Sequence, residues 1–247
     1  MNEKILQKMR QMKLYGMALA FKTSLEEHTM PQLTADEMVT FLVDAEYDDR
    51  NNRRISRRIR NARFRYKAML EQIDFSVERN LDRNIMNRLG ECGFIDKHEN
   101  VLISGSTGIG KSYIASALGN QACMMGYKVY YASTAKLLSM LKIAKADGSY
   151  IKEIARIEKQ DLLILDDFGM QPFDNHCRSA LIEMIEDRHG KHSTIITSQL
   201  PVKGWHEVIG ERTIADAVMD RIVHNAHRIE LSGESLRKRQ QSSLDVN

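Results

Sequence analysis

The chain has 247 residues, 43% of them hydrophobic and 28% charged, with a formal net charge of +3. That length can bury a sizeable core in one large domain or two. No apolar run approaches a membrane span and no apolar stretch follows Met1-Asn2-Glu3-Lys4, so a membrane protein and a secreted one are set aside and a cytoplasmic protein is expected. Cys92, Cys123 and Cys177 are odd in number, far apart and without metal-ligand spacing, which fits a reducing compartment and no disulfide framework.

Residues 1 to about 95 read as nearly all helix. Ile5, Met9, Met12 and Leu14 begin an amphipathic pattern that Leu19 and Phe21 continue after Gly16, and Met30-Pro31-Gln32 breaks it. Thr34 and Glu37 have the spacing of a capping box, with Met38, Phe41, Leu42 and Ala45 as the apolar face that follows. Between residues 50 and 65, eight of sixteen positions are arginine (Arg50, Arg53, Arg54, Arg57, Arg58, Arg60, Arg63 and Arg65) and none is acidic. Ile55, Ile59, Ala62, Tyr66 and Met69 fall on one helical stripe, so the expected element is a helix with one apolar edge and an otherwise basic surface. Glu46, Asp48 and Asp49 are too few to neutralise it. Phosphate is the natural partner, because the guanidinium fork is bidentate, and a contact that tracks the backbone with weak sequence preference is expected. The boundary between this helical, basic part (residues 1–75) and the rest (76–247) is placed near residue 75.

From Val101 the chain alternates strand and helix, which implies a parallel sheet. Val101–Ser104 is the first apolar strand. Gly105-Ser106-Thr107-Gly108-Ile109-Gly110-Lys111-Ser112 follows it and fits the phosphate-loop pattern G-x-x-x-x-G-K-[ST] at each fixed position. Tyr113, Ile114, Ala115, Leu118 and Ala122 then run into a helix. Glycines at 105, 108 and 110 let backbone N–H groups ring a phosphate at a helix N-terminus. Lys111 would reach the outer phosphates of ATP, and the Ser112 hydroxyl would ligate Mg²⁺.

The second strand is expected at Lys128–Ala132, with Thr134 capping the next helix. Leu162–Leu165 is the third, ending in Asp166-Asp167 where open α/β sheets bind ligands. Asp166 would hold Mg²⁺, directly or through water, and Asp167 would polarise an attacking water. The fourth strand, Ser193–Gln199, ends in Ser198 and Gln199, either of which could hold that water or the γ-phosphate. Trp205 reads as a packing anchor in a loop. Arg212 and Arg221 flank a helix over Ile214–Ile222, His227–Leu231 is the fifth strand, and Arg237 is a further cationic candidate; any of the three arginines could serve a γ-phosphate. Gln240–Asn247 reads as a tail.

Four runs together resemble the IstB family of insertion-sequence ATP-binding helpers, within the AAA+ class and near bacterial helicase loaders: the loop itself, Leu162–Gly169, Thr194–Pro201 and Asp216–Ile222. Met12–Met17 is similar to the start of that family. The resemblance implies an α/β P-loop AAA+ domain with a five-stranded parallel sheet in the order 5-1-4-3-2, preceded by an all-α domain. It also implies that Arg221 is an arginine finger acting on a neighbouring subunit, that Arg237 occupies the sensor-2 position, and that Ser198 or Gln199 is sensor 1. The function implied is DNA-dependent ATP hydrolysis by a homo-oligomer on duplex DNA, with recruitment of a cognate transposase. One departure is Asp167, where the class usually carries glutamate; the shorter side chain is expected to slow turnover. The alternatives are a replicative helicase loader of the same ATPase class, and an architectural DNA binder whose nucleotide site is structural.

Overall fold

The computed structural model describes residues 2–27 and 33–236. The expected break at Met30–Gln32, Arg237 and the tail lie outside these described residues. The elements in chain order are α1 (Asn2–Gln11), α2 (Tyr15–Glu26), α3 (Ala35–Ala62), a short 3₁₀ turn (Leu70–Gln72), α4 (Arg83–Gly90), α5 (Gly93–Asp96), β1 (Asn100–Gly105), α6 (Lys111–Met124), β2 (Val129–Ser133), α7 (Thr134–Asp147), α8 (Tyr150–Glu158), β3 (Leu162–Phe168), α9 (Asn175–Arg188), β4 (Ser193–Ser198), α10 (Trp205–Ile209), α11 (Arg212–Val223) and β5 (Ala226–Leu231). Among the described residues no helix is long and apolar enough to cross a membrane.

Two compact units divide after Arg57, within α3. In the first, Gly16 brings α2 against α3: a Cβ there would lie 2.3 Å from the Ala45 carbonyl oxygen. The buried Glu46 accepts from the Met17 N–H at 3.2 Å and pairs with Arg50 at 2.6 Å. α3 begins as the capping box expects, with Thr34 N–H donating to Glu37 at 2.8 Å and Glu37 N–H donating back to the Thr34 hydroxyl at 3.3 Å.

The second unit is built on five parallel strands in the order β2-β3-β4-β1-β5, the order implied above read from the other edge. Side chains alternate between the two faces. Val101, Ile103, Ile164 and Ile195 share one core with α4, α5 and α6. Leu102, Leu163, Leu165 and Ile196 share the other with α7, α9, α10 and α11. β3 is buried along nearly its whole length, as a strand covered on both faces must be. Ala62, Ala68 and Ile73, all before the boundary expected near residue 75, are buried in the first of these cores.

Three expectations need correcting. The helix carrying the arginines stops at Ala62, because Arg63 turns into the left-handed region at φ 60°; Tyr66 and Met69 keep the helical spacing but lie beyond the helix. The chain there is held by ring contacts instead, with Phe64 edge-on to Tyr131 at 6.3 Å and Tyr66 at 6.1 Å from Tyr113. Thr134 is the first residue of α7 and not its cap; the cap position is Ser133, and the Thr134 hydroxyl donates to the Asp166 carbonyl at 3.0 Å. Trp205 begins the short helix α10, fully buried and 4.6 Å from Phe168.

Candidate functional site

The loop from Gly105 to Ser112 joins the end of β1 to the start of α6. Gly108 and Gly110 take φ of 82° and 102°, which favour glycine, and a Cβ on Gly108 would lie 2.1 Å from the Ser235 hydroxyl. No side chain caps α6, so its first N–H groups face the loop. Lys111 is nearly buried and donates to the carbonyls of Gly105 and Ser106 at 2.7 and 2.9 Å. The loop is flanked by the segment after β5 and by Arg79. The Leu236 N–H donates to the Gly108 carbonyl at 3.0 Å, and Ser106 reaches the Gly233 carbonyl at 3.4 Å. Beside that segment, whose Ser232 N–H donates to the Arg79 carbonyl at 3.1 Å, the buried Arg79 donates to the carbonyl of Ile109 at 3.1 Å, and a Cβ on Gly110 would meet its guanidinium at 2.6 Å. Tyr113 turns away, donating to Gln72 at 3.1 Å.

At the end of β3, Asp166 is fully buried and surrounded by donors. Ser112 donates to its Oδ1 at 2.7 Å, and so does the Thr197 hydroxyl from β4. Tyr131 from β2 donates to Oδ2. Burial, then the hydrogen bond to Asp166 and the charge of that carboxylate, push the Tyr131 phenol well above its usual range, so it stays a donor. Arg65 reaches both carboxylates, at 3.3 Å from Asp166 Oδ2 and 3.1 Å from Asp167 Oδ2.

Asp167 is part-exposed and left-handed, at φ 57°. Its N–H donates to the Thr197 hydroxyl at 3.1 Å. The register between β3 and β4 shifts at this point, and Gly169 follows at φ 74°. Such an irregularity at a strand end re-aims a side chain out of the sheet. Aspartate is among the residues enriched in this conformation.

The polar end of β4 separates into three roles. Thr197 couples the two aspartates. Ser198, fully buried, donates to the Phe168 carbonyl at 2.7 Å and is occupied by backbone. Gln199 accepts from the Thr107 hydroxyl at 2.7 Å and so touches the phosphate loop. Arg221 is elsewhere. It pairs with Glu186 on α9 at 2.9 Å, and its own carbonyl accepts from Asn100 at 3.4 Å, at the opposite end of β1 from the loop. Five strand steps separate those ends, roughly 17 Å, so Arg221 does not serve the loop of its own chain.

The residues fit ATP and Mg²⁺. Gly108 and Gly110 hold conformations that a side chain would strain, the helix start carries no cap, and Ser112 with Asp166 offers the hard oxygen donors that Mg²⁺ takes. Among the described residues no cluster of His, Cys, Asp and Glu suits any other metal centre.

The arginines of the basic run divide by partner. Arg50 pairs with Glu46, and Arg53 with Glu46 and Asp49. Among the described residues Arg54, Arg57, Arg58, Arg60 and Arg63 have no carboxylate in salt-bridge range, and all but the half-buried Arg58 are exposed. Sequence reasoning missed Thr197, Tyr131 and Arg79, and placed Arg65 only with the basic run. The polar Thr-Ser-Gln end of β4 was a signal for Thr197; nothing local signals Arg79.

The family model for IstB-like ATP binding proteins matches residues 7–244. A Sinorhizobium fredii protein named for ATP binding within an insertion sequence, y4pL, is 44% identical over 235 residues, covering 95% of this chain and 96% of the relative. Among solved structures, DnaI is similar with a TM-score of 0.59 at 23% identity, over 67% of this chain and 92% of that one. The DnaC helicase loader gives a TM-score of 0.56 at 19% identity, over 68% and 98%. These two likenesses bear on the fold alone, the parallel sheet with helices on both faces.

Proposed function

We propose that this chain, which belongs to the family of IstB-like ATP-binding proteins, is a transposition helper that binds and hydrolyses ATP while assembled on duplex DNA. The observation that carries the reading is the junction of Ser112, Asp166 and Thr197, which ties the phosphate loop to the carboxylate pair. Ser112 and Asp166 would hold Mg²⁺, whose charge offsets that of the phosphates when bound. The N–H groups of residues 105–113 and the Lys111 ammonium bind the phosphate chain. Lys111 must exchange the carbonyls of Gly105 and Ser106 for phosphate oxygens, and both partners are acceptors of the same kind. Asp167 takes a proton from water, and Gln199, next to Thr107, orients that water or the γ-phosphate; Ser198 supports the turn.

Arg221 acts in trans. It lies at the far end of the sheet, so only a neighbouring subunit can present it to a loop, and this makes the nucleotide a bridge within a homo-oligomer. Arg237 stays a proposed sensor 2. The DNA contact is assigned to Arg50, Arg53, Arg54, Arg57, Arg58, Arg60, Arg63 and Arg65, within a basic part of residues 1–75, with residues 76–247 handling nucleotide. A cognate transposase is the proposed partner, supported by the names of the relatives, which place them in insertion sequences; a Mg²⁺ ion, a duplex contact of weak sequence preference and a cytoplasmic location complete the reading.

Electron microscopy of the protein with random-sequence duplex, with and without ATP, tests it. Discrete multimers on duplex are expected with ATP only, lost in Lys111→Ala and in the triple Arg57→Ala, Arg58→Ala, Arg60→Ala variant. ATP-dependent binding to single strands or to a helicase, with none to duplex, would refute the reading in favour of a loader.

A further inference from the structure

The salt bridge from Arg65 to both carboxylates joins two features that the preceding reading treats separately. Arg65 is the last arginine of the basic run, and its guanidinium lies against the proposed metal and water ligands. The chain covers that distance in very few residues: α3 ends at Ala62, Arg63 turns at φ 60°, and Arg65 follows. Its neighbours in sequence hold it there. Phe64 packs edge-on to Tyr131, which itself donates to Asp166, and a Cβ on Gly119 would lie 2.5 Å from the Phe64 ring. Tyr66 lies beside Tyr113, one residue past Ser112. Arg65 thus has an anchored backbone with a side chain about half exposed, at 46%.

Two opposed demands meet at this guanidinium. A divalent cation at Ser112 and Asp166 is repelled by a second positive charge on the same carboxylates. A phosphodiester oxygen near Arg60 or Arg63 offers the same guanidinium a bidentate anionic partner. Asp166 keeps three hydroxyl donors (Ser112, Thr197 and Tyr131) when the guanidinium leaves, so the carboxylate is not left unsatisfied.

We propose that Arg65 is the coupling residue between the basic segment and the nucleotide site: it neutralises Asp166 and Asp167 until a nucleic-acid backbone draws it away, and its departure strengthens the site for a divalent cation and its nucleotide. The proposal rests on the metal and DNA assignments above. It makes duplex and metal–nucleotide each tighten the binding of the other by one common factor, since such coupling is reciprocal.

The test measures Mn²⁺ binding by its electron paramagnetic resonance signal, with ADP present, in wild type, Arg65→Gln and Arg65→Lys, each with and without random-sequence duplex. In wild type, duplex should tighten Mn²⁺ about fivefold or more, the lower range of site-to-site coupling. Arg65→Gln should bind Mn²⁺ that tightly without duplex and respond to duplex hardly at all, whereas Arg65→Lys, keeping the charge, should retain a response. Equal Mn²⁺ affinity and equal duplex response in wild type and Arg65→Gln overturn the proposal, as does a wild type indifferent to duplex. Loss of Mn²⁺ binding in folded Arg65→Gln also overturns it, since Arg65 would then support the site. Failure of wild type to bind Mn²⁺ with nucleotide at all would instead remove the metal assignment on which the proposal stands.

Discussion

Thr197→Val removes one hydroxyl and leaves the shape of the side chain unchanged. The hydroxyl donates to a fully buried carboxylate, and a hydrogen bond to a charged group contributes about 1.5–3 kcal/mol. It also accepts from the Asp167 N–H at 3.1 Å, in a part-buried setting, and leaving that donor without its acceptor adds about 1 kcal/mol. The extra methyl offsets about 0.8 kcal/mol through burial. The net loss is about 2–3 kcal/mol. Thr197→Ser keeps both hydrogen bonds and gives up one methyl, a loss of about 1 kcal/mol. The ranking is therefore wild type, then Ser, then Val, whereas an apolar slot would put Val first and Ser last. Urea unfolding followed through Trp205 reads it directly: this is the one tryptophan, buried against Phe168, which ends β3. Val as stable as Ser, or more so, would refute the view that Thr197 supports the aspartate pair.

Two further outcomes bear on the chemistry. Asp167→Asn should leave nucleotide affinity within about threefold of wild type and abolish phosphate release; turnover near the wild-type rate would take Asp167 out of the mechanism. Arg221→Ala should lower hydrolysis by about 10³-fold, and mixing it with Lys111→Ala should restore part of the activity, because each variant supplies what the other lacks; no recovery on mixing would place Arg221 outside the neighbour's site.

What the sequence disclosed and what it hid separate along one physical line. The phosphate loop, the five strands and the capping box at Thr34 were legible because each is a local pattern. The end of α3 was not, because Tyr66 and Met69 continue the helical spacing after the helix has stopped. There the packing of Phe64 on Tyr131 and Gly119 overrides the period. The aspartates were visible as a pair at a strand end, but their different surroundings were not. One is fully buried among hydroxyls from three elements, and the other is turned outward on a left-handed residue. Arg65 could be counted among the arginines, yet its partners lie about a hundred positions on and no spacing rule connects them.

The position of β1 in the sheet has a consequence for how the molecule comes into being. β1 leads directly into the phosphate loop, but its two neighbours are β4 and β5, made on the order of a hundred residues later. At ribosomal speeds of about 5–20 residues per second, the first strand waits many seconds with neither edge covered. A nascent chain cut before β5 already displays the entire loop sequence, and it lacks a strand to hold that loop open. The loop sequence is thus made well before the strands that flank it, and the nucleotide site is complete only once β5 has followed.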